Sequence, residues 1–78
     1  MKVIEFCNEV MVISHSVTFW IMNHGPEYKA QYSVNMSFLE KQDGMGEPNI
    51  DSIIRSEGFV TSQEAVERLK EIMKQLKR

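Results

Sequence analysis

From Pro26 to Glu40 apolar and polar residues alternate: Tyr28, Ala30, Tyr32, Val34, Met36 and Phe38 against Lys29, Gln31, Ser33, Asn35 and Ser37. A period of two predicts a strand with one buried face. The stretch before it, Val10 to Met22, reads as a second strand with Met11, Ile13, His15, Val17, Phe19 and Ile21 on one side. Between them stands "NHGP", Asn23 to Pro26, which is turn chemistry. An antiparallel hairpin closed there sets Ile21 opposite Tyr28, Phe19 opposite Ala30 and Val17 opposite Tyr32. Its other face pairs Trp20 with Lys29 and Thr18 with Gln31. A one-residue slip would set apolar against polar at every pair. Lys2 to Cys7 predicts a further strand, with a tight turn at Asn8-Glu9 placing Phe6 beside Met11 and Ile4 beside Ile13.

The remaining pattern ends in a helix. Gln42 to Asn49 is a loop by its Gly and Pro content. Ile50 to Phe59 fits either a helical turn or a strand, and a strand around Ser52 to Ser56 is the preferred reading. Thr61 and Glu64 form a capping box. Val66, Leu69, Ile72, Met73 and Leu76 then recur at helical spacing. Glu64, Glu67 and Glu71 come early and Lys70, Lys74, Lys77 and Arg78 late, which complements the helix dipole. The expected fold is one α+β domain over residues 1–78: an antiparallel three- to four-stranded sheet, β-β-β-(β)-α, with one C-terminal amphipathic helix packed on one face.

Composition narrows the chemistry. One cysteine, Cys7, allows no internal disulfide, and with His15 and His24 it falls short of the four ligands of a closed zinc site. No cofactor or metal is expected. A net charge of −2 counts against a dedicated duplex-DNA binder. The start Met1-Lys2-Val3 lacks a signal-peptide layout, and the apolar run from Val10 is broken by Ser14, His15, Ser16 and Thr18. These features predict a cytoplasmic protein with no membrane span. "SHS", Ser14 to Ser16, is not a nucleophile and base pair, because neighbours on a strand point to opposite faces. His15 is expected as a core histidine. Asp43, Glu47 and Asp51 do not follow a calcium-loop spacing, and Gly44-Met45-Gly46 is not followed by the residues of a phosphate loop. No enzymatic constellation emerges.

A length mismatch points to an interface. Strands of Val10–Met22 and Glu27–Leu39 would each run roughly 43 Å, while a helix from Ser62 to Lys77 spans roughly 24 Å. Val17, Phe19, Ile21, Tyr28, Ala30 and Tyr32 would be left partly bare, and such a patch predicts a symmetric homodimer. A sharp bend at Ser14–Ser16 that folds the hairpin over its own helix is the competing arrangement. Trp20, Met22, Lys29 and Gln31 on the outer face form a candidate surface for a protein partner or, as the alternative, for a nucleic acid. The stretch "GFVTSQEAVERL", Gly58 to Leu69, resembles the strand-to-helix ending of HicB-like antitoxins and of phage integrase arm-binding domains. Small phage-encoded anti-CRISPR proteins are similar in length and element order. The resemblance implies a phage or mobile-element protein. The expected function is a small, non-enzymatic, self-associating protein-binding or regulatory domain.

Overall fold

The computed structural model describes residues 2–13, 17–38 and 53–77. Among these residues five strands precede one helix: β1 Lys2–Phe6, β2 Glu9–Ile13, β3 Val17–Asn23, β4 Tyr32–Phe38, β5 Ile53–Phe59 and α1 Ser62–Leu76. The class is α+β, as the periodicity predicts. The strands divide into two antiparallel sheets, a β1–β2 hairpin and a three-stranded β3–β4–β5 sheet. The long strand expected from Val10 to Met22 is therefore two strands in different sheets. The expectations for Ser14, His15 and Ser16, and for the Gln42–Asn49 loop, lie outside the described residues.

Both hairpin registers differ from those expected. β3 and β4 set Val17 opposite Phe38, Phe19 opposite Met36, Trp20 opposite Asn35 and Ile21 opposite Val34. β4 thus begins at Tyr32, and Tyr28 to Ala30 belong to a connection closed by a bond from His24 N–H to the Gln31 carbonyl at 2.7 Å. In β1–β2 the turn is Cys7-Asn8, with Ile4 opposite Met11 and Phe6 opposite Glu9. Each register moves by an even number of residues. Such a move keeps every apolar residue on its face, so alternation cannot detect it.

β5 extends beyond the expected strand and pairs with β4 from Tyr32↔Phe59 to Ser37↔Ile53, with Ile54 as the extra residue of a bulge. The strand carries Gly58 because a Cβ there would sit 2.8 Å from the Ala30 Cβ of the overlying connection. Gly25 in that connection has φ +115°, a conformation L-residues with side chains rarely adopt.

The core forms where three surfaces meet: Ile4 and Phe6 from the hairpin, Phe19, Val34 and Met36 from the sheet, and Ala65 and Ile72 from the helix. Phe6 meets Phe19 edge to face, with ring centroids 5.4 Å apart. Burying side chains of this size stabilises by about 1.5–3 kcal/mol each. The helix faces inward through Ala65 and Ile72, with Leu69 and Leu76 packed alongside. Val66 and Met73, expected inward, lie on its flank at 41% and 37% exposure.

Thr61 caps α1 as expected. Its Oγ1 accepts from Glu64 N–H at 3.3 Å and donates to Glu64 Oε1 at 2.9 Å. Thr61→Ala should therefore lower stability by about 1 kcal/mol, or about 4–8 °C in Tm for a domain of this size. Thermal unfolding followed by circular dichroism measures it, and an unchanged Tm would remove the cap from the stability account.

Candidate protein-binding surface

The β1–β2 hairpin presents an apolar outer face. Val3, Val10 and Val12 are 57%, 74% and 58% exposed, and Val3 lies directly opposite Val12. Cys7 and Asn8 both adopt positive φ, 55° and 60°, as a two-residue hairpin turn of the I′ kind requires. Such a turn makes Phe6 and Glu9 a hydrogen-bonded pair. Alternation along the ladder then turns the backbone groups of Glu5 and of Val10 and Val12 away from each other, to the two edges of the hairpin.

The two edges are treated differently. On the β1 edge, Glu5 N–H donates to Gln75 Oε1 at 2.8 Å, and the Glu5 carbonyl accepts from Arg68 Nη2 at 2.7 Å. Cys7 N–H donates to Glu57 Oε2 at 2.7 Å, and Lys2 Nζ donates to the Leu76 carbonyl. The β2 edge faces no described strand. Among the described residues, an exposed Arg55–Glu9 ion pair of 3.3 Å marks its start.

Arg68 holds this hairpin in place. Its Nε and Nη2 donate to the two Glu57 oxygens at 2.7 and 3.2 Å, and Nη1 lies 3.2 Å from Glu71. The guanidinium also sits 5.8 Å from the Phe6 ring centroid. The side chains of Arg68 and Glu57 are only 15% and 19% exposed. Bonding to Glu57 raises the Arg68 pKa above its ordinary value. Nearby, Cys7 Sγ approaches the Ser56 carbonyl at 3.4 Å. Burial pushes the Cys7 thiol up, and the Glu57 charge pushes it further.

On the outer face of the three-stranded sheet, Ser33, Asn35 and Ser37 are buried, although alternation reads them as polar and solvent-facing. Asn35 Oδ1 accepts from Ser33 Oγ at 3.0 Å and Ser56 Oγ at 2.7 Å. Because Ser33 spends its single proton there, it accepts from His24 Nε2–H across 2.8 Å. Asn35 Nδ2 and Ser37 Oγ have no partner among the described residues.

The residues singled out from the sequence do not form one open surface. Phe19 is buried in the protein's own core. Val17, Ile21 and Tyr32 pack partly buried against that core, whereas Tyr28 and Ala30 are exposed on the connection over the other face. Trp20 and Met22 are half-buried and lie opposite Asn35 and Ser33. Lys29 and Gln31 belong to the connection, so Trp20 has no lysine opposite it. Sequence reasoning missed Val3, Val10 and Val12. Their signal was present in "VMVI", an apolar run with both faces hydrophobic. Among the described residues no three His, Cys, Asp or Glu side chains gather as a metal-holding group, and no helix is long and apolar enough to cross a membrane. The chain matches no family model, no curated protein and no solved structure.

Two measurements probe this architecture. Arg68→Met leaves Glu57 without its partner and should destabilise by about 3 kcal/mol, with Arg68→Lys recovering only part because it lacks the fork. Chemical denaturation of the three proteins gives the comparison, and an unaffected Arg68→Met would exclude the node as a structural anchor. For Cys7, the raised native pKa means that stability present below the ordinary value of 9.0 declines as pH rises from there through the native pKa. Iodoacetamide alkylation of the native protein should accordingly have a more alkaline midpoint than alkylation of the guanidinium-unfolded chain. Equal midpoints would contradict it.

Proposed function

We propose that this chain is a small, non-enzymatic protein-binding domain of regulatory type, and that it self-associates through the β2 edge of its hairpin. The exposure of Val3, Val10 and Val12 beside an edge that pairs with no described strand carries the reading. The strand is suited to pair with itself. Placed antiparallel about a two-fold axis at Met11, it sets Val10 opposite Val12 of a second copy. The outward N–H and C=O groups of both valines then bond across the axis. Four valines form one apolar cluster flanked by the two Val3 side chains, and cross-strand pairs of this kind contribute about 0.2–1 kcal/mol each. The interface is isologous and closes on itself, so it yields a dimer rather than a fibre. The phage or mobile-element setting suggested by Gly58–Leu69 belongs to the same proposal.

Sedimentation or light scattering at high micromolar concentration should give a dimer mass. Val10→Lys and Val12→Lys place a charge on the outer face, a common guard of edge strands, and should give folded monomers with an unchanged circular dichroism spectrum. A monomeric parent protein, or variants that remain dimeric, would refute self-association at this edge. Phe19→Lys serves as the contrast: it should unfold the chain.

A further inference from the structure

Helix α1 carries a second surface of different character. At 3.6 residues per turn, Met73, Val66, Lys77, Lys70 and Lys74 follow one another around one flank, and Glu67, Glu71 and Glu64 around the opposite one. The first flank forms a shallow groove of about 460 Å³, lined by Val66, Leu69, Lys70, Met73, Lys74 and Lys77. No ion pair forms with these lysines among the described residues, while Glu71 on the other flank is joined to Arg68. The groove is thus an apolar seam whose cationic rim forms no ion pair among the described residues, on a chain whose net charge is −2.

We infer that this seam receives an acidic amphipathic helix from a partner protein. Val66 and Met73 are seven residues apart, about 10 Å along the axis, or two helical turns. That length suits anchors spaced i, i+3, i+4 and i+7 on an incoming helix, with its acidic residues flanking the anchors to meet Lys70, Lys74 and Lys77. A second copy of this chain does not fit. A two-fold contact would set the lysines against themselves, and the acidic flank offers no large apolar side chain to fill the seam. Phosphate recognition would not use Val66, Leu69 and Met73. A lipid surface is a plane, and beyond the narrow seam it would meet Glu67 next to Lys74. The binding therefore extends the protein-binding reading to a heterotypic partner, at a site separate from the β2 edge.

The test uses a fluorescein-labelled synthetic helix with leucines at i, i+3, i+4 and i+7 and glutamates beside them. A second peptide carries lysines in place of the glutamates. Anisotropy titrations on the full chain should show the acidic peptide binding about tenfold tighter or more, with the gap shrinking as salt rises. Lys70→Gln combined with Lys74→Gln should abolish that preference, and Met73→Gln should weaken both peptides, with circular dichroism unchanged. Val12→Lys should bind the acidic peptide as the parent does, so a failure of self-association leaves this result distinct. Equal binding of the two peptides would overturn the proposal, as would full acidic-peptide binding by the double lysine variant. Sedimentation with phosphatidylglycerol vesicles that depends on Lys70 and Lys74, without peptide binding, would assign the seam to lipid and overturn it as well.

Discussion

The fold depends on the forked pairing of Arg68 with Glu57. Glu57 faces the helix because it lies opposite Val34 on the inner face of the sheet, and Arg68 reaches it from the first half of α1. Neither charge could rest there alone, since each is largely removed from water. Together they leave donors and acceptors to spare, and the hairpin takes them up: Arg68 bonds the Glu5 carbonyl and Glu57 bonds Cys7 N–H. One ion pair thereby joins helix, sheet and hairpin. Because the β1 edge is used in this attachment, the opposite edge of the hairpin is the one that meets no described strand.

What could be read from the sequence follows from which physical signals are local. The helix was legible because its cap, its apolar stripe and its charge order all lie within a few residues of one another. Which face of each strand turns inward was legible too: Ile4, Phe6, Phe19, Val34 and Met36 are buried as alternation requires. Register was not. A shift of six residues in β3–β4 and of two in β1–β2 leaves each face intact, so only tertiary packing distinguishes the alternatives. Nor does the pattern show where the strand from Val10 to Met22 divides, since both parts keep the same parity across the break. The Arg68–Glu57 partnership joins charges from two elements whose crossing no periodicity encodes.

The row of Ser33, Asn35 and Ser37 shows a different limit of pattern reading. A polar residue on an alternating strand is taken to face water. Here the connection between β3 and β4 folds back, with Ala30 against Gly58 and His24 bonded to Ser33. The hydroxyls of Ser33 and Ser56 both point at Asn35 Oδ1. A buried network of directed bonds discriminates between alternative strand pairings more sharply than apolar contact does, because a shifted register would leave its members unpaired. The face that alternation leaves unconstrained is thus also a face on which the register is fixed.

The contacts between β1 and the last turns of α1 have a consequence for biogenesis. Lys2 bonds the Leu76 carbonyl and Glu5 bonds Gln75, so β1 is completed by a segment synthesised about 70 residues after it. Until α1 has emerged, the apolar side chains of Ile4 and Phe6 lack the helix that covers them, and the Glu5 carbonyl lacks Arg68. Synthesis at about 5–20 residues per second makes that interval a matter of seconds. The nascent hairpin spends it exposed, which leaves β1 and β2 open to chaperone capture until α1 is made.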